Sequence, residues 1–146
     1  MGAEPYWYFV KYEPDVEAAL QKLRQREFAA GRYNPVTSSL EFPLGPDAPS
    51  PGAQHASIEE AVEASGEEGT RSILDLAQIG PEAEFLVAKL LSKDDLEAIF
   101  GTAQPTHEML EDFSVFDSLE RGTGVCVTVY KDGKPSELFF GGYSID

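Results

Sequence analysis

Near the C-terminus Val125, Val127 and Val129 alternate with Cys126, Thr128 and Tyr130. A period of two puts successive side chains on opposite faces, so this stretch reads as a β-strand. Asp132-Gly133 follows as a turn signal, and Glu137 to Tyr143 returns with Leu138, Phe139 and Phe140. That pattern is a β-hairpin, expected to have a connection of four to five residues. Gly141-Gly142 near its end marks a bulge or a close backbone approach. Tyr6-Trp7-Tyr8-Phe9-Val10-Lys11-Tyr12 is a second strong strand, aromatic or β-branched at every position but Lys11. Apolar character on both of its faces predicts a central place in the sheet, near the hairpin.

Between these ends the chain alternates helical and extended signals. The spacing predicts a helix from Asp15 to Ala30, with Val16, Ala19, Leu20 and Leu23 inward, Lys22 and Arg26 outward, and Gly31 as its stop. Asn34-Pro35 marks a turn. Leu40-Glu41-Phe42 reads as a short strand. Pro43 to Pro51 then holds four prolines in nine residues, the centre of a Pro-rich loop at about 43–56. Such a loop is a surface insertion in its plain reading, and a lid or partner contact in its functional one. Ser57 and Glu60 form a capping box before a short helix that stops at Gly66. Ser72 to Ile79 and Glu84 to Leu91 read as strands. Ser92 caps a helix carrying Leu96, Ile99 and Phe100 inward. Pro105-Thr106 opens a longer one with Met109, Leu110, Phe113 and Phe116 inward.

Runs of one element type mixed with singles favour a single α+β domain over residues 1–146. The expected architecture is a mixed, mainly antiparallel sheet of 4–6 strands with helices packed on one face and the C-terminal β-hairpin.

Charge narrows the classes of partner. The chain has 26 Asp and Glu against 11 Lys and Arg, a formal charge of −15. Residues 1–36 are balanced, with Glu4, Glu13, Asp15, Glu17 and Glu27 against Lys11, Lys22, Arg24, Arg26 and Arg32. The rest of the chain carries the whole excess. Such a surface repels phosphate backbones and anionic lipid, so no nucleic acid and no membrane is expected as a partner, and a basic protein is the natural one. An acidic surface also keeps a protein soluble without any partner. No secretory signal is visible at the N-terminus and a single cysteine, Cys126, fits a reducing compartment, so the expected localisation is cytoplasmic.

The side chains that carry chemistry are sparse. His55, His107 and Cys126 have no ligand spacing among them, so neither a metal nor a cofactor is expected. Gly122-Thr123-Gly124 sits between a helix and a strand, the reverse of a dinucleotide site. Cys126 lies in a hydrophobic strand, as a small core residue rather than a thiolate. The clearest polar shoulders flank the capped helix. Gly52-Ala53-Gln54-His55 leads in and Gly69-Thr70-Arg71-Ser72 leads out, placing His55 and Arg71 on connections. Arg71 is the lone base between Arg32 and Lys89, and its guanidinium could clamp a carboxylate or phosphate. Its structural reading is an ion pair with Asp75 or Glu68, with His55 bonding the backbone. Arg32 and Tyr33, with Trp7 and Tyr8, form a second candidate, an aromatic pocket with a cationic end. His107 reads as a surface residue.

The blocks Tyr6-Trp7-Tyr8-Phe9-Val10, Ala30-Gly31-Arg32-Tyr33-Asn34-Pro35, Gln54-His55-x-Ser57-Ile58-Glu59-Glu60-Ala61 and Gly69-Thr70-Arg71-Ser72-Ile73-Leu74-Asp75 resemble those of a small bacterial family of unknown function. Tyr130-Lys131-Asp132-Gly133-Lys134-Pro135 and Phe140-x-Gly142-Tyr143-Ser144 are similar to it as well. The resemblance implies a bacterial cytosolic setting and brings no activity or catalytic residue.

Two functional readings follow. One is a non-catalytic protein-binding or regulatory domain whose acidic face meets a basic partner, as an immunity-like inhibitor masks a basic cleft. The alternative is a protein or enzyme that binds a small anionic molecule with His55, Arg71 and Arg32. A DNA mimic would need rows of carboxylates at phosphate spacing. Enzyme status and oligomeric state are open at this level.

Overall fold

The computed structural model describes residues 3–38 and 40–146. Its described residues form five strands, β1 (Pro5–Lys11), β2 (Gln78–Gly80), β3 (Val87–Leu90), β4 (Gly124–Lys131) and β5 (Lys134–Tyr143). Four helices accompany them, α1 (Val16–Ala30), α2 (Ile58–Ser65), α3 (Lys93–Phe100) and α4 (His107–Leu110). The strands make one open sheet in the order β1-β5-β4-β3-β2. β1 and β4 both pair antiparallel with β5, whereas β3 pairs parallel with β4 and with β2. The sheet is therefore mixed, as expected, and fits the mainly antiparallel expectation only in part: two of its four pairings are parallel, although the antiparallel ladders are the longer ones. None of the described helices is long and apolar enough to cross a membrane.

Helices cover both faces, not one as the sequence suggests. On the first face Tyr6, Tyr8, Cys126, Leu138 and Phe140 pack against Ala19, Leu20 and Leu23 of α1 and against Ile73 and Leu76. On the second, Val125, Val127, Val129 and Phe139 pack against Leu96 of α3, Leu110 of α4, Val115 and Phe116. The cause is the parallel β3–β4 pair. Parallel neighbours need a long crossover, and this one carries α3 and α4 over the second face. Double coverage also explains β1, which lies at the edge of the sheet rather than its centre. Its two apolar sides report two covering layers, not two neighbouring strands.

The hairpin turns tighter than expected. Asp132 and Gly133 alone join β4 to β5, with φ of 53° and 76°, the positive pair a two-residue turn requires. The bulge falls at Val129/Tyr130 instead of the glycine pair. Gly142 is a close approach, since a Cβ there would lie 2.7 Å from the Tyr6 hydroxyl.

Three further elements depart from expectation, the first two because local bonds outcompete the regular pattern. Ser72–Ile79 is not one strand. The Thr70 amide and hydroxyl both donate to Asp75 Oδ1 at 2.8 Å, and Ser72 Oγ accepts from the Leu74 amide at 3.3 Å. These bonds wind Ile73–Asp75 into a 3-10 turn and leave only Gln78–Gly80 extended. The helix after Thr106 stops at Leu110. Phe113 takes a left-handed conformation, φ 60°, and Asp112 Oδ1 accepts from the Ser114 amide at 2.9 Å. Leu110 and Phe116 face inward as expected, while Met109 and Phe113 are exposed. Leu40 to Phe42 is irregular, and Phe42 serves as a plug against the rings of Tyr6, Trp7 and Tyr8. At α2, Ser57 Oγ accepts from the Glu60 amide, but the Glu60 carboxylate returns to Ala56 rather than Ser57.

Candidate functional site

The sequence candidates do not converge. Arg32 is committed to Glu27, an acid at the buried face of α1. Its Nε and Nη2 donate to the two carboxylate oxygens at 2.7 and 2.8 Å, and Arg26 Nε adds a third bond at 2.8 Å. Glu27 is wholly buried. Burial alone would raise its pKa, yet the bonds from Arg32 and Arg26 and their charges outweigh it and hold the carboxyl below the usual range. Arg32 in turn is held above its ordinary value by that carboxylate.

Tyr33 and His55 do meet. The Tyr33 hydroxyl lies 2.8 Å from His55 Nδ1 and accepts from the Gln54 amide at 3.3 Å. Tyr33 is fully buried and stacks on Phe28, so the pair ties the Pro-rich loop to the end of α1. It replaces the backbone bond expected for His55. Arg71 stands apart at φ 53°, beside a slit of about 20 Å³ that Glu4, Thr37 and Phe42 share. That volume holds about one water, far below a metabolite. Among the described residues Arg71 makes no ion pair, neither with Asp75 nor with Glu68. Among the described residues, none of the main clefts is lined by more than one of Arg32, His55 and Arg71.

Trp7 belongs to a different place. A cleft of about 420 Å³ is lined by Trp7, Tyr8 and Phe9 of β1, Arg26 of α1, Pro43 and Leu44 of the Pro-rich loop, His107 of α4, and Glu111 and Phe113. Tyr8 projects from one face of the sheet, Trp7 and Phe9 from the other. A cavity touched from both faces of an edge strand lies along that edge. Its aromatic wall is continuous. The Trp7 ring sits 4.7 Å from Phe113 and 5.7 Å from Phe42 between centroids. Phe113 is 40% exposed, a large apolar ring left at the mouth.

His107 is the polar feature sequence reasoning missed. Its ring stacks on Phe9 at 3.8 Å and 23°. Nδ1 lies 2.8 Å from Glu137 Oε1, and since a carboxylate only accepts, Nδ1 carries the proton. Nε2 then points towards Glu111, 3.9 Å away. α4 reaches this position because the Tyr130 amide donates to the Pro105 carbonyl, docking the helix on β4. No signal within α4 itself could have shown this, because both partners are distant in sequence. A carboxylate-held imidazole is the geometry of a general base, but none of the residues lining the cleft is a Ser, Thr, Cys or Lys nucleophile. Cys126 lies buried in the core, its thiol pushed up to about 12 by burial. Among the described residues no three His, Cys, Asp or Glu side chains cluster as metal ligands. Chemically, the ring faces and the Glu111 carboxylate are groups that can accept aromatic, apolar or cationic contacts.

Comparisons with family models, curated proteins and solved structures find no match to this chain.

Proposed function

We propose that the protein is a protein-binding domain that receives a basic partner in the aromatic cleft along β1. The observation that carries this reading is the cleft itself, an open wall of Trp7, Phe9 and Phe113 on a chain of charge −15. Aromatic anchors supply contact area at low entropic cost, and hot spots concentrate on such residues. The long-range field of the acidic surface draws cationic partners and speeds their encounter. Mixed charge at the cleft suits this. Arg26 is engaged with Glu27 and His107 with Glu137, which leaves Glu111 to meet an incoming cation. A cytoplasmic setting, consistent with the one buried cysteine, is part of the same proposal.

The test is capture from a cytosolic extract on immobilised protein, run with the wild type, Phe113→Ser and Glu111→Lys. The reading expects a basic protein that the wild type retains, that both variants lose, and that elutes as salt rises. Both substitutions are at exposed positions, and circular dichroism of each variant checks that the fold is retained. Retention that neither variant changes would remove the cleft from the interaction.

A further inference from the structure

We infer that the partner enters this cleft as an extended segment that adds a sixth strand to the open edge of β1. The inference rests on the reading of the cleft as a protein-binding site. The Glu4 carbonyl accepts from the Ser144 amide at 2.9 Å, and the Tyr12 amide donates to the Ser136 carbonyl at 3.1 Å. In an antiparallel pair the bonded residues alternate, so Tyr6, Tyr8 and Val10 also turn their backbone groups towards β5. Trp7, Phe9 and Lys11 turn theirs the other way. Among the described residues those groups meet no backbone partner. The row they form runs along the cleft that Trp7, Tyr8 and Phe9 line.

An unpaired edge flanked by side-chain pockets is the template for strand addition. Among the described residues the chain guards it without pairing it. Phe42 packs its ring against Trp7 and Tyr8, one from each face, and Pro43 beside it has no N–H to offer a ladder. Backbone bonds from an incoming strand would satisfy the row, and its alternate side chains would fall on the faces of Trp7 and Phe113. A Lys or Arg there meets two ring faces and the Glu111 carboxylate. Charge selects the occupant. A second copy of this chain brings another −15 to the same edge and is repelled, whereas a basic segment is attracted.

The probe is a pool of end-blocked seven-residue peptides alternating Lys or Arg with Val, Leu or Tyr. A matched pool carries N-methyl groups on every second amide, and a third replaces the basic residues with Glu. Trp7 is the single tryptophan of the chain, so its emission reports occupancy directly. Amide exchange by NMR reports pairing. Strand addition expects the Trp7, Phe9 and Lys11 amides to slow about tenfold or more, those of Tyr6, Tyr8 and Val10 to stay as they were, and N-methylation to weaken binding about tenfold. A Trp7 response without slowing of those three amides overturns strand addition and leaves the binding reading intact. Equal binding of the Glu pool overturns the basic occupant. Protection of the same amides with no peptide, together with a dimer in sedimentation, makes a second copy the occupant. Silence of Trp7 towards every pool defeats the binding reading as well.

Discussion

Glu27 shows how one residue inverts the logic of its neighbours. It sits fully buried on α1 with Arg26 and Arg32 bonded to it, so removing its charge leaves two guanidinium groups facing a neutral side chain. Glu27→Gln is expected to cost about 2 kcal/mol at neutral pH, less than the full penalty for breaking a buried pair because Arg26 and Arg32 keep access to water. The sign of its pH dependence follows from the depressed folded value. The unfolded carboxyl binds its proton at higher pH, so the stabilisation is complete above the ordinary carboxylate range and is lost as pH falls through the folded value. Urea titrations of wild type and variant should converge in acid, and a gap that stays constant would contradict the assignment. Asp75 runs the other way. Burial raises it, opposed by bonds from Thr70 and Arg71 and by Arg24, and its Oδ2 is buried without a partner beside the equally orphaned Tyr6 hydroxyl. With a folded value above the unfolded one, its ionisation destabilises at neutral pH, and that cost is relieved as pH falls through the raised value. Asp75→Asn retains an oxygen for Thr70, so it should cost less than about 1 kcal/mol at pH 7 and flatten the pH profile in that window.

At the scale of elements, two glycines with the same backbone angle separate conformation from packing. Gly31 ends α1 and Gly133 completes the hairpin turn, each at φ 76°. A Cβ on Gly133 would meet nothing within 4 Å, while on Gly31 it would lie 2.3 Å from the Gly52 carbonyl oxygen. Gly133→Ala should therefore cost only the left-handed penalty, about 1 kcal/mol, and Gly31→Ala at least about 2 kcal/mol. Thermal unfolding of both variants checks this, and equal losses would mean the Gly52 segment yields freely. The contact matters because the Gly52 amide donates to the Ala30 carbonyl at 2.9 Å, and the Tyr33–His55 bond holds the same segment a few residues on. The start and end of the Pro-rich stretch are thus anchored, one under β1 by Phe42 and the other on α1. Its middle, Gly45 to Pro49, borders a separate open pocket.

The whole molecule carries its −15 around a single open sheet whose edge strands are β1 and β2. Self-repulsion of that size opposes compaction, so screening should help the fold. Raising sodium chloride from about 0.02 M to about 0.5 M is expected to raise Tm, because the Debye length shrinks several-fold over that range. A falling Tm would mean that screened ion pairs, such as Lys22–Glu13 and Lys89–Asp95, outweigh the repulsion. The two edges differ in kind. β2 is three residues long, too short to template a new strand, whereas β1 offers seven beside an aromatic cleft.

Local pattern determined the hairpin, β1, α1 and α3 with their caps, because alternation, the helical stripe of Ala19, Leu20 and Leu23, and the Ser92 and Gly31 signals act within a few residues. It also determined the net charge of −15. The edge position of β1, the parallel β3–β4 pair and the second helical layer depended on contacts far apart in the chain, which no local period encodes. The candidate site divides the same way. Trp7 and Tyr33 stand out as candidate pocket residues in the sequence, but Glu27 enters only as one acid in the charge count and His107 reads as a surface residue. Only folding brings Glu27 beneath two arginines five residues or fewer away, and His107 onto Phe9 and Glu137 from opposite ends of the chain. A side chain's chemistry is written in its residue type, whereas its solvent, its neighbours and therefore its role are properties of the packed chain.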